Sequence, residues 1–223
     1  MNELVFLLHV LVIVACSLFA FKRGKVALTA WIALQGVLTN FFVLKQISLF
    51  GAHVTCSDAL TIGLFFCLNL LREYYGKEVA KLGLWISFGA MAFFVILAQL
   101  HLLYVPSPYD SAHGAYEKLL SPSPRLLGAS LLAFFISQQL DLRVFQFFKV
   151  KMPKSPFVLR NALSTSLAQF VDTFLFSLLG LAGLVAHLDH IIFVSFALKL
   201  LLIGLMTPLT LISKRFVPKE VHE

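Results

Sequence analysis

Residues 80–103 read AKLGLWISFGAMAFFVILAQLHLL, 24 residues whose single charged side chain, Lys81, stands at the edge of the run. Wound as an α-helix at about 1.5 Å per residue, they reach about 36 Å, enough to cross a hydrocarbon core of roughly 30 Å. Further apolar runs lie at 4–21, 26–44, 57–73, 124–148, 160–186 and 189–213. The third is short for a span and the sixth long. The expected fold is all-α: a polytopic membrane bundle of about seven helices, in a single domain over residues 1–223.

Composition supports a lipid solvent. Of the 223 residues, 59% are hydrophobic and 13% charged, and the mean hydropathy is +0.89. A soluble domain carries roughly a quarter charged residues, so too few polar groups remain here to cover a water-facing surface. The net charge of +7 does not point to nucleic acid, because the basic residues sit in short clusters between apolar runs and form no stripe interleaved with aromatics. Cys16, Cys56 and Cys67 form no CxxC pair, and an odd count of scattered cysteines argues against a disulfide framework.

Those basic clusters carry a code. Lys22, Arg23 and Lys25 follow the first run; Arg72, Lys77 and Lys81 follow the third. Arg143, Lys149, Lys151, Lys154 and Arg160 follow the fifth, and Lys214, Arg215 and Lys219 follow the last. Together they are 14 of the 18 basic residues, while the alternate connections hold Lys45, Lys118 and Arg125. Cytoplasmic loops collect Lys and Arg, so the expectation is an N-terminus outside, a C-terminus in the cytoplasm, an odd number of crossings and residence in the inner membrane. The chain opens with Glu3, and its positive cluster comes after the apolar run. A cleaved secretory signal has the reverse order, so the first run reads as a retained helix.

Two segments break the pattern. Residues 45–57, KQISLFGAHVTCS, mix β-branched residues with Gly51 and read as an external loop or a partly inserted, broken stretch. Residues 104–124 hold four prolines and read as an external loop with a short surface helix at 110–120. There is also a short internal echo: Gln138–Asp141 and Gln169–Asp172 are both Q-x-x-D, each followed four residues later by Phe, at Phe145 and Phe176.

Polar residues inside apolar runs are the candidate functional groups. Asp172 stands within SLAQFVDTFLFSLLG and Lys199 within SFALKLLLIGL. A charge near mid-bilayer costs several kcal/mol, faces the bundle interior and finds a partner. Asp172 and Lys199 are the natural pair, either as a coupling or substrate site or as an ion pair that fixes packing. Gln169 shares a helix face with Asp172, as Gln138 does with Asp141. A carboxylate beside an amide suits a heterocyclic amide, the first accepting N–H groups and the second donating to a carbonyl; interhelical hydrogen bonding is the structural alternative. Asn69 and Glu73 share a face on the third run, where Glu73 can instead pair with Arg72 or Lys77, and Asp141 with Arg143. The expected substrate-binding set is Asn69, Gln138, Gln169 and Asp172. The expected coupling or ion-pair set is Asp172, Lys199, Glu73 and Asp141. His187, Asp189 and His190 have no further ligand evident nearby for a closed, four-coordinate site, so no metal is expected. No GxSxG, HExxH or GxxxxGK[ST] occurs, which leaves no catalytic or ATP-hydrolysing signature.

The segments LNLLREYYGKEVAK (68–81), SQQLDLRVFQFFK (137–149), LRNALSTSLAQFVDTFLFS (159–177) and ALKLLLIGLMTPL (197–209) together resemble the bacterial queuosine-precursor transporters, earlier grouped as vitamin-uptake transporters. The most specific stretch is R-N-x-x-S-T-x-x-x-Q-x-x-D-T from Arg160 to Thr173. The resemblance implies a membrane protein of six or seven helices without a prosthetic group or enzymatic activity. It implies import of 7-deazaguanine bases such as preQ0, preQ1 or queuine by a secondary transporter. Its partners would be the bilayer and a small planar heterocyclic base, with no nucleic acid; a homo-oligomer is compatible with it. Asn69 stands where the family pattern has an acidic residue. The rival readings are a substrate-capture subunit that docks a separate ATPase through residues 142–160, an importer of another heterocycle or vitamin, a membrane-embedded enzyme, for which no catalytic cluster is found, and a structural membrane protein, against which Asp172 and Lys199 argue.

Overall fold

The computed structural model describes residues 1–152 and 157–218. Among these the order is α1 (Asn2–Lys22), α2 (Lys25–Phe42), β1 (Gln46–Leu49), β2 (Ala52–Thr55), α3 (Asp58–Tyr75), α4 (Lys77–Leu102), α5 (His113–Leu120), α6 (Ser123–Lys151), α7 (Phe157–Phe176) and α8 (Leu188–Ser213). The chain is thus mostly helical. Among the described residues five segments are long and apolar enough to cross a membrane: Asn2–Lys22, Lys25–Phe42, Glu78–Leu102, His113–Phe148 and Leu163–Leu181. Helix α3, with 18 residues, has Asp58, Arg72 and Glu73 near its ends, and α8 runs for 26 residues. The short helix expected at 110–120 is α5. The long sixth run ends earlier than its hydropathy suggests, because α7 widens into a π-helical turn at Ser177–Leu181 and stops before Gly183, whose φ is 80°.

Two connections are unusually tight, and glycine makes them so. Gly24 (φ 101°) separates α1 from α2, and Gly76 (φ 90°) alone separates α3 from α4. Side chains with a Cβ rarely adopt such angles, so the helices break there, within the charged stretches KRGK (22–25) and GKE (76–78).

Residues 45–57, expected as an external loop or a partly inserted, broken stretch, have regular backbone structure. They fold into an antiparallel hairpin in which Ile47 pairs with Val54 and Leu49 with Ala52. Its two-residue turn, Phe50 and Gly51, has φ of 50° and 81°, the positive pair that follows the twist of the flanking strands. On β1 the alternation of a half-buried ribbon is present, with Leu49 buried and Gln46 and Ser48 exposed, while on β2 both Val54 and Thr55 are buried. Cys56 N donates to Lys45 O at 2.7 Å and closes the ribbon. Asn2 Nδ2 donates to Ser48 O at 3.0 Å, and Ala186 N donates to Gln46 Oε1 at 3.2 Å. The start of α1, the hairpin and the segment before α8 therefore meet at one end of the bundle.

Packing divides the helices into α1–α4 and α6–α8, which meet through α3 with α8, α4 with α6 and α2 with α6. The first group is cemented by Phe21, Leu28, Ile32, Phe66, Leu70 and Leu71. Small residues bring its helices close, as lipid-embedded packing favours. A Cβ on Gly63 of α3 would fall against Ile13 of α1 and Gln35 of α2. In the second group Pro124 sits in the first turn of α6, where a missing N–H costs nothing. Its neighbour Arg125 donates to Leu179 O at 2.7 Å and Ala182 O at 2.8 Å, covering the carbonyls that the end of α7 leaves open. Long apolar side chains such as Leu8 of α1, Phe93 of α4 and Phe193 of α8 stay exposed and form the outer surface that lipid covers.

The three-helix contact at Gly63 gives a stability test. Gly63→Leu should overpack the α1–α2–α3 junction by about 1–3 kcal/mol and lower the melting temperature in detergent. Gly114→Leu, where a Cβ would meet nothing within 4 Å, should leave it near that of the parent protein.

Candidate functional site

Where the two helix groups meet they enclose a cavity of about 190 Å3, smaller than the roughly 300–1,000 Å3 of pockets for drug-sized ligands. Its wall is mostly apolar and aromatic, with Phe65 from α3, Phe88 from α4, Phe134 from α6 and Phe176 from α7. Polar groups interrupt that wall in two places.

The first is the intramembrane charge pair. Lys199 Nζ lies 2.8 Å from Asp172 Oδ2, and their side chains are 12% and 20% exposed. Ser137 Oγ, which donates to Phe134 O at 3.0 Å, also lies 3.5 Å from Asp172 Oδ1. The ammonium stands 5.7 Å from the centroid of the Phe65 ring, within the reach of a cation–π contact. Each charge thus has an opposite charge and a second polarisable neighbour, as a low-dielectric site demands.

The second is Asp58, in the first turn of α3. It is buried, and Ser195 Oγ lies 3.0 and 2.9 Å from its two carboxylate oxygens. Ser195 and Lys199 are four residues apart on α8, so they share a face with about 6 Å of rise between them. One helix therefore presents a hydroxyl to Asp58 and, one turn further on, an ammonium to Asp172. Asn40, in the last turn of α2, lines the same cavity. It is 7% exposed, and its Oδ1 has no hydrogen-bond partner among the described residues.

Of the residues singled out from sequence, Asp172 and Lys199 stand on the cavity wall. Gln169 lies one turn before Asp172 on α7, and its Oε1 is buried without a partner among the described residues. Asn69 is half-buried on the same face of α3 as Phe65, one turn further along. Neither is on the wall itself. The side chain of Gln138 lies outside the described residues. Asp141 sits further along α6, where Thr165 Oγ1 donates to it at 3.5 Å, and Glu73 is exposed near the end of α3. The two Q-x-x-D stretches thus lie on the adjacent helices α6 and α7, and the second carries its acid into the cavity. Asp58 and Asn40 are absent from the sequence-based set. Asp58 opens a helix, where an acid reads as a favourable end charge, and its partner lies 137 residues away.

Histidines gather at the end of the bundle that holds the hairpin. His53 of β2 stacks on His187 with centroids 4.4 Å apart and on His190 at 5.8 Å. The stacking turns ring faces, not nitrogen lone pairs, toward one another. Among the described residues no group of three or more His, Cys, Asp or Glu side chains is arranged to hold a metal ion.

The charge pair makes a direct prediction. Lys199→Met or Asp172→Asn alone leaves a buried charge uncompensated and should destabilise the protein by about 3 kcal/mol, while the double substitution should recover most of that loss. Thermal unfolding of the three variants in detergent measures it.

Comparison with known proteins gives the family of the chain. Residues 56–213 match the protein family described as "Putative vitamin uptake transporter". A Bacillus subtilis (strain 168) protein named "Probable queuosine precursor transporter" is 30% identical over 201 residues, covering 88% of this chain and 87% of that protein. No solved structure matches the chain. The matched region runs from the end of the hairpin through α8 and contains Asp58, Asp172 and Lys199, so this multi-pass membrane chain belongs to the vitamin-uptake transporter family.

Proposed function

We propose that the protein imports a 7-deazaguanine base, a queuosine precursor, across the cytoplasmic membrane as a secondary transporter, and that the cavity at Asp172 and Lys199 is its binding site. The observation that carries this reading is the pairing of one donor with one bidentate acceptor on an aromatic-walled cavity. A guanine-type edge offers a carbonyl, a ring N–H and an exocyclic amine in a row. Asp172 can accept the two N–H groups through its two oxygens, and Lys199 can donate to the carbonyl. The phenylalanine wall suits a flat ring. The name of the Bacillus subtilis relative supports the same substrate class.

Transport follows from the competition at Asp172. Without substrate its carboxylate is held by Lys199. When the base takes the carboxylate, Lys199 turns to the base carbonyl, and the tie between α7 and α8 is remade through the ligand. The exchange biases the bundle between its outward- and inward-open forms. The whole chain acts as one transporter unit without enzymatic chemistry. Seven crossings, with the hairpin end outside and the C-terminus in the cytoplasm, are supported by the 14 basic residues gathered at one set of connections.

Uptake of labelled base by cells that cannot synthesise the precursor tests the reading: expression should restore uptake, and Asp172→Asn should reduce affinity about tenfold or more. Wild-type affinity in a properly inserted Asp172→Asn protein would sink the site assignment. The double variant Asp172→Asn/Lys199→Met should fold yet not transport; if it transports normally, the pair is structural only. A reporter fused to the C-terminus should be active on the cytoplasmic side, and periplasmic activity would refute the orientation.

A further inference from the structure

The Asp172–Lys199 pair is neutral as a unit, but the cavity holds a second carboxylate. Asp58 lines the same space, and the groups that hydrogen-bond it are neutral: the Ser195 hydroxyl, 3.0 and 2.9 Å from its two carboxylate oxygens, and Thr55 at the end of the hairpin. With both acids ionised and Lys199 protonated, the described residues of the wall carry one surplus negative charge. In a water-poor site such a charge is costly until a cation joins it. The unpartnered Oδ1 of Asn40 points to the same need by a separate observation, because a buried acceptor without a donor also costs free energy. Asn40 closes α2 and Asp58 opens α3, on either side of the hairpin, so both acceptors lie at one end of the cavity. The charge pair lies one turn of α8 deeper.

This spacing fits a ligand with two recognition points. The amide edge of the base rests on Asp172 and Lys199, and an arm at the 7-position, beside the carbonyl that Lys199 holds, reaches the Asp58 end. A protonated amine has three N–H donors and no acceptor, which complements a carboxylate and an amide oxygen. We propose that Asp58, assisted by Asn40, is the specificity-determining acid that makes this cavity prefer a base carrying a protonated amine on its side arm over the same base with a neutral arm. The inference rests on the binding reading above and adds the charge of the ligand to it.

The test compares 7-aminomethyl-7-deazaguanine with 7-cyano-7-deazaguanine, titrated calorimetrically into the purified full chain in lipid nanodiscs. The wild-type protein should bind the aminomethyl base at least about tenfold more tightly. Asp58→Asn should collapse that ratio toward one. Asn40→Asp, which adds a second carboxylate at the same end and leaves Asp58 in place, should widen it and keeps the test open should Asp58→Asn fail to fold. Equal binding of the two bases by the wild type, a ratio unchanged in Asp58→Asn, or a ratio unchanged or narrowed in Asn40→Asp overturns the assignment of Asp58. Failure of the wild type to bind either base overturns the binding reading instead.

Discussion

The contact on which the arrangement turns is the 2.8 Å ion pair between Lys199 and Asp172. Neither charge is tolerable alone in an apolar helix, and each makes the other acceptable. Because they stand on α8 and α7, the pair fixes how these helices rotate against each other. That rotation also decides what else α8 presents: four residues earlier, Ser195 is turned toward Asp58 of α3. One helix thereby ties the C-terminal group of helices to the N-terminal group, and the cavity is the space left between the two ties.

Much of this architecture is legible in the sequence because it follows from one solvent requirement. In lipid each backbone polar group must be satisfied within its own segment, so apolar length alone marks the long helices. The expected runs at 4–21, 80–103 and 124–148 coincide with α1, α4 and α6 to within a few residues. The pairing of Asp172 with Lys199 was legible for the same reason, since two opposite charges in adjacent apolar runs have few other ways to be neutralised.

What was not legible depends on long-range placement or on backbone geometry that hydropathy does not register. The hairpin at 46–55 is too short to announce itself by alternation, and its turn places a phenylalanine at positive φ, where turn preferences favour Gly, Asn or Asp. The early stop of α7 comes from a π-helical turn and Gly183, within a run that stays apolar to residue 186. Asp58 and Asn40 read as ordinary helix-end residues. Their shared destination appears only once the hairpin folds back and brings the end of α2 beside the start of α3.

The hairpin therefore matters beyond its own ladder. A flexible loop between α2 and α3 would let Asn40 and Asp58 diverge; a closed ribbon tied to Asn2 and Ala186 holds their backbones together. The same ribbon places His53 against His187 and His190 beside the start of α8. Rotation of α8 would act on Ser195, Lys199 and this stack together, because all three stand on or against one rigid helix. On the proposed reading, the element that senses the ligand at Lys199 is also the element that the hairpin end must follow when the bundle changes form. On that reading its position would carry a small exchange of partners at one carboxylate to the end of the bundle where the hairpin sits.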